Sequence, residues 1–165
     1  MIATLAASQG LNPQDPMFWI PLVFMGLLLL LIAAGIVLDG FDIGVGLLLQ
    51  LAPAEERGRL MGMLSPWRDA NESWPLLGIG LFGAAFPFAW GAIMGKLYGP
   101  LTVMVLGIVL RSVAFEFRIR ARNEHKPRWI FGFWLGSLLT AFGQGMVLGR
   151  LATDYQSDAG YGWFT

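Results

Sequence analysis

The chain has 165 residues, 56% of them hydrophobic and 13% charged, with 11 basic residues balancing 11 acidic ones. Its apolar residues come in long uninterrupted runs that so few charges could not cover in water, which places the chain among membrane proteins. The balanced charge excludes the broad basic field that recruits nucleic acid. The absence of cysteine excludes disulfides, thiolate metal sites and iron–sulfur clusters, and leaves the redox compartment unread.

Residues 1–16 read as a short polar lead. They lack the positive n-region of a secretory signal, and residues 11–21 carry three prolines and one acidic residue. Residues 17–38 are 22 positions without a charge, about 33 Å as a helix, enough to cross the hydrocarbon core. A second uncharged run, 73–95, is long enough to cross alone. Residues 97–110 are short for a crossing but become adequate when continued through Arg111 to Phe115, with Gly99 and Pro100 expected to reverse the chain. A fourth run covers 129–149. The expected fold is therefore an all-α integral membrane bundle of four transmembrane helices within 17–152, followed by an external tail at 153–165.

Basic residues distinguish the two sides. Arg57, Arg59 and Arg68 lie between the first and second runs, and Arg118, Arg120, Arg122, Lys126 and Arg128 follow the third, against Lys96 and Arg150 at the opposite ends. Lysine and arginine in short loops stay cytoplasmic, so both long loops are expected inside and both termini outside. Glycines four apart, Gly40 with Gly44, Gly132 with Gly136 and Gly145 with Gly149, are expected to let helices approach closely.

Three polar segments interrupt the apolar runs. D-G-F-D-I-G-V-G, 39–46, sets Asp39 and Asp42 three residues apart on one helical face. A carboxylate inside the hydrocarbon costs roughly 2.5 to 3.5 kcal/mol, so Asp42 is either a buried, functional or paired group or a solvated one at the interface. P-W-R-D-A-N-E-S-W, 66–74, places Asp69, Asn71 and Glu72 where the loop enters the second run. Asp69 or Asn71 fits a helix N-cap, and the carboxylates equally fit a collector of cytoplasmic protons. Trp67 and Trp74 suit interface anchors. L-R-S-V-A-F-E-F-R, 110–118, holds Arg111 and Glu116. A buried Arg111 needs an acidic partner, for which Asp42 is the nearest by expected depth, whereas an Arg111 near the helix end would snorkel to the surface. The proton-path candidates are thus Asp69, Glu72 and Asp42, and the buried-charge candidates Asp42, Arg111 and Glu116. The single histidine, His125, lies in the basic loop and suits a solvated side chain better than an axial haem ligand. Met25, Met94, Met104 and Met146 suit packing, so any haem is expected elsewhere.

Together these segments resemble subunit II of the cytochrome bd family, most closely its cyanide-insensitive branch. D-G-F-D-I-G-V-G, then P-x-x-D-x-N-x-x-W, then R-x-V-A-F-E-F-R occur in the family's order, and W-L-G-S-L-L-T-A-F-G-Q-G-M-V-L-G, 134–149, matches its fourth helix. The resemblance implies an eight-helix subunit of about twice this length, of which this sequence is the first half, as a fragment, a truncation or half of a split subunit. It implies a complex of the bacterial inner membrane that oxidises quinol and reduces dioxygen, with haem b and haem d in a partner subunit I and none bound by this chain. It also implies that Asp69 lies on a cytoplasmic proton path and that Asp42 and Arg111 are membrane-embedded charges. Two positions depart from the family pattern. The common W-D-G-N reads R-D-A-N, setting a permanent cation, Arg68, against the carboxylate that a relay would protonate, and Ser112 stands where glycine or proline is usual. Without the resemblance, Asp42 and Arg111 would equally suit the binding site of a small ion or substrate transporter, or a purely structural assembly subunit.

Overall fold

The computed structural model describes residues 15–156. Among them five helices follow one another: α1 (Pro16–Leu48), α2 (Arg57–Leu64), α3 (Arg68–Ala85), α4 (Pro87–Arg120) and α5 (Lys126–Gln156). The polar lead up to residue 14, and the expected tail from 157 onward, lie outside the described residues.

α1 starts sharply because the Asp15 carboxylate accepts the Met17 N–H at 2.9 Å and Pro16 supplies a preset first helical residue. It then runs ten residues past the expected end at 38, so the D-G-F-D segment is helical throughout. Beyond it Arg57 donates from Nε to the Ala52 carbonyl at 3.0 Å and from Nη2 to that of Gln50 at 3.2 Å, tying α2 to the turn that follows the helix. The short α2 turns Met61 and Leu64 inward, where they join Leu49, Ala114, Phe115, Ile130 and Phe133 in the largest apolar core. This cluster ties the end of α1, α2, the end of α4 and the start of α5 into one end of the bundle. Both basic loops therefore lie at the same end.

The second expected span is divided. α3 stops at Ala85, Phe86 leaves helical geometry at φ −131° and ψ 59°, and Pro87 opens α4. The reversal thus falls ahead of Pro87, where a proline fits a helix start, and Phe82, Phe86, Gly83 and Trp90 pack together at the corner. Gly99 and Pro100, expected to make that turn, lie inside the 34-residue α4 with Pro100 buried. Proline is tolerated within membrane helices because neighbouring groups satisfy the backbone it frees. Three helices are long and apolar enough to cross a membrane: α1, α4 and Lys126–Thr153 of α5. α3 falls short because its first turns carry Arg68, Asp69 and Glu72 and leave only an apolar stretch from 73 to 85.

α4 and α5 form a close antiparallel hairpin. A Cβ at Gly107 would sit 2.5 Å from the Thr140 nitrogen, at Gly136 2.5 Å from the Arg111 nitrogen, and at Gly143 2.7 Å from the Met104 backbone. Only glycine permits this approach. α1 lies between α3 and α5, with the Pro75 ring of α3 seated on Gly35 and Ser137 of α5 against Gly46. Of the expected glycine pairs, Gly132 and Gly136 face a neighbour, whereas Gly40, Gly44, Gly145 and Gly149 face open space.

Candidate functional site

The helix crossings bring the polar segments into one cluster. α1 contributes Asp39 and Asp42, each 1% exposed, and α4 contributes Arg111, also 1% exposed. The first turns of α3 contribute Arg68, Asp69, Asn71 and Glu72. Such burial of charge is sustained only by opposite charges and hydrogen bonds.

Arg111 is the centre. Its Nη2 donates to Asp39 Oδ1, and the same nitrogen lies 3.4 Å from Glu72 Oε1. Glu72 also accepts from Arg68 Nη1 at 3.3 Å and, through Oε2, from Ser112 Oγ at 3.0 Å. Arg68 in turn donates from Nη2 to Asp69 Oδ1 at 3.0 Å, while its guanidinium carbon stands 4.4 Å from the Phe115 ring centre. The far oxygen of Asp39 faces Gln144 Nε2 at 3.5 Å. Charges therefore alternate along Asp69, Arg68, Glu72, Arg111 and Asp39. Solvent exposure of the three carboxylate side chains falls from 91% at Asp69 to 18% at Glu72 and 2% at Asp39. The row runs from the exposed surface to the bundle interior, and its polar groups are held by four helices.

Asp42 stands beside this row with a different partner. Both its oxygens accept from the Asn71 amide, at 3.3 and 3.2 Å. It is buried, and the direct partner of Arg111 is Asp39, not Asp42. The Asn71 amide of α3 holds both oxygens of Asp42, and the Arg111 side chain reaches Asp39 instead. Glu116 is not a buried charge. Five residues beyond Arg111 it points roughly 140° away around the helix, where it pairs with Arg120 at 2.6 Å on the surface. Nor does Arg111 snorkel. Neither Asp69 nor Asn71 caps α3, since its N-cap is Trp67 and makes no side-chain cap bond. Asp69 lies within the first turn, suitably charged for a helix N-terminus.

Glu72 joins Arg68 and Arg111, as a bridging rather than a terminal group. Ser112 and Gln144 complete the cluster, the first visible in the sequence only as a departure from a pattern and the second not singled out. Among the described residues no group of three or more His, Cys, Asp or Glu side chains converges as a metal site.

The family model for cytochrome bd terminal oxidase subunit II matches residues 20–165. The chain is 34% identical over 125 residues to cytochrome bd ubiquinol oxidase subunit 2 of Bacillus subtilis, a match covering 74% of this chain and 37% of that relative. It is 27% identical over 118 residues to cytochrome bd-I ubiquinol oxidase subunit 2 of Escherichia coli K12, covering 70% and 31%. The probable cytochrome oxidase subunit 2 of Haemophilus influenzae is 29% identical over 128 residues, covering 76% and 34%. These matches span about a third of the length of each relative.

Proposed function

The chain belongs to the cytochrome bd terminal oxidase subunit II family, and from that premise we propose that it serves a membrane quinol oxidase as the haem-free partner of a haem-bearing subunit. In this reading haem b and haem d reside in subunit I and supply the oxygen chemistry. Quinol is oxidised there, and this chain binds none of the redox groups. Its own contribution is protonic and structural. Asp69 collects protons at the basic end of the bundle, Glu72 passes them inward between Arg68 and Arg111, and Asp39 and Asp42 are the acceptors within the membrane.

One observation carries the proposal: the single row of alternating charges that leads from exposed Asp69 to buried Asp39. Two arginines hold three carboxylates in place without consuming them, because a guanidinium keeps its own proton and can only orient. Nε and Nη1 of Arg111 have no protein acceptor among the described residues, and buried N–H groups of this kind are ordinarily satisfied by ordered water. Water there would join the steps between carboxylates.

The basic loops give the orientation we adopt, with the α2 end cytoplasmic and the N-terminus outside. α3 is read as a short fourth crossing, since it packs antiparallel along α1, with Asn71 on Asp42, Pro75 on Gly35, and Gly78 beside Leu31 and Ile32. The firm pairing of Arg111 with Asp39 favours a second reading, in which the network only locks the helices together. The first test is of the complex itself. Affinity purification through a tag on the full-length chain, followed by an optical spectrum, should yield b-type and d-type haem bands that reduce on quinol addition. Haem-free preparations from quinol-respiring membranes would reject the oxidase assignment.

A further inference from the structure

At the basic end of the bundle, α4, α5 and the turn between them line an open groove of about 520 Å³. Arg120, His125 and Arg128 line its rim, and Leu110, Phe117 and Gly132 its wall. The sequence around it, from Glu116 to Arg128, holds five basic residues against two acidic ones. Cationic rim and apolar wall together are the two halves of a recognition site for a molecule with an anionic head and a hydrocarbon tail.

We propose that this groove binds one anionic phospholipid, its phosphate between Arg120 and Arg128 and an acyl chain laid against Leu110 and Phe117. Three features support this occupant over a polypeptide segment. First, charge is complementary: Arg128 has no ion-pair partner among the described residues. Arg120 meets Glu116 at 2.6 Å, yet its side chain is 74% exposed, so N–H donors remain for a phosphate. Second, the level is right. The Trp129 ring stacks on Phe117 at 5.1 Å and 19°, and tryptophan at a helix start beside basic residues marks the headgroup zone. Third, the apolar wall is open at its side, with Phe117 52% exposed on α4. Basic pockets between membrane helices hold anionic headgroups by this combination of charge and apolar contact. The site is separate from the charge row: Arg68 and Arg111 do not line it. It therefore does not depend on the oxidase assignment.

Each basic residue at the phosphate contributes roughly five-fold to affinity, and loop charges farther from it contribute less because salt screens them, so losing the two at the phosphate lowers it roughly 30-fold. The test uses the full-length chain in its purified complex, stripped of lipid and reloaded from phosphatidylcholine vesicles containing graded phosphatidylglycerol, with bound lipid counted by native mass spectrometry. Wild type should take up one phosphatidylglycerol per chain in preference to phosphatidylcholine. Arg120→Gln with Arg128→Gln should raise the phosphatidylglycerol needed for half-loading roughly 30-fold. Arg122→Gln with Lys126→Gln removes the same charge from the same loop but no lining residue, and should change it several-fold at most. Equal shifts in the two double variants would reduce the effect to a general surface field and overturn the site. So would indifference to headgroup charge in wild type, or photo-crosslinking from position 117 to protein instead of lipid.

Discussion

Replacing Asp39 by asparagine removes the carboxylate that Arg111 touches directly while keeping the side chain's size. Breaking a buried ion pair from one side costs roughly 3 to 5 kcal/mol, because the remaining charge stays buried without its counterpart. Here Glu72 lies 3.4 Å from the same guanidinium nitrogen and retains part of the compensation. The expected loss for Asp39→Asn is therefore at the low end, about 3 kcal/mol. Asp42→Asn is milder. Its direct partner is the Asn71 amide, which can still donate to an asparagine carbonyl, so the loss is about 1 kcal/mol. Because the partner is buried, Asp39→Asn with Arg111→Gln should cost less than the sum of the single changes. The assay is thermal inactivation of the purified complex in nanodiscs, ranked by half-life because large membrane assemblies unfold irreversibly. An Asp42→Asn variant less stable than Asp39→Asn, or strictly additive behaviour in the double variant, would refute the pairing.

Ser112→Ala removes one hydrogen bond to Glu72 and should cost about 1 kcal/mol, measured in the same assay, with a wild-type optical spectrum. Gly143→Ala places a methyl 2.7 Å from the Met104 backbone and should cost roughly 1 to 3 kcal/mol by forcing α4 and α5 apart, whereas Gly145→Ala, facing open space, should be neutral or slightly stabilising. Single cysteines at positions 57 and 122 should resist an impermeant thiol reagent in intact cells and react in inverted vesicles; labelling from outside would reverse the orientation.

Long uncharged runs revealed the helices because bilayer thickness leaves few alternatives, but their ends were not equally legible. Asp39 and Asp42 resemble the end of a span by hydropathy, yet the helix continues because both carboxylates turn inward and find partners. Hydropathy does not show that Asn71 takes Asp42 and leaves Asp39 to Arg111. Gly99 and Pro100 have the composition of a turn, but in lipid a proline can remain inside a helix, and the break fell at Phe86, ahead of a different proline. Glu116 could have been placed outward from its five-residue offset to Arg111 alone. The role of Asn71 depends on α3 lying against α1, a contact between distant segments that local spacing does not encode. The family motifs grouped the right segments; which carboxylate meets which guanidinium was settled by packing.

Oxygen consumption by an assembled complex carrying Asp69→Asn and Glu72→Gln tests the proton path most directly. Both amides keep hydrogen-bonding side chains of nearly the same shape, and neither can carry a proton. The charge row predicts slower quinol-driven oxygen reduction at normal haem content and normal subunit ratio. Wild-type turnover in that variant would contradict it and leave Asp69, Glu72 and their arginines as braces between helices.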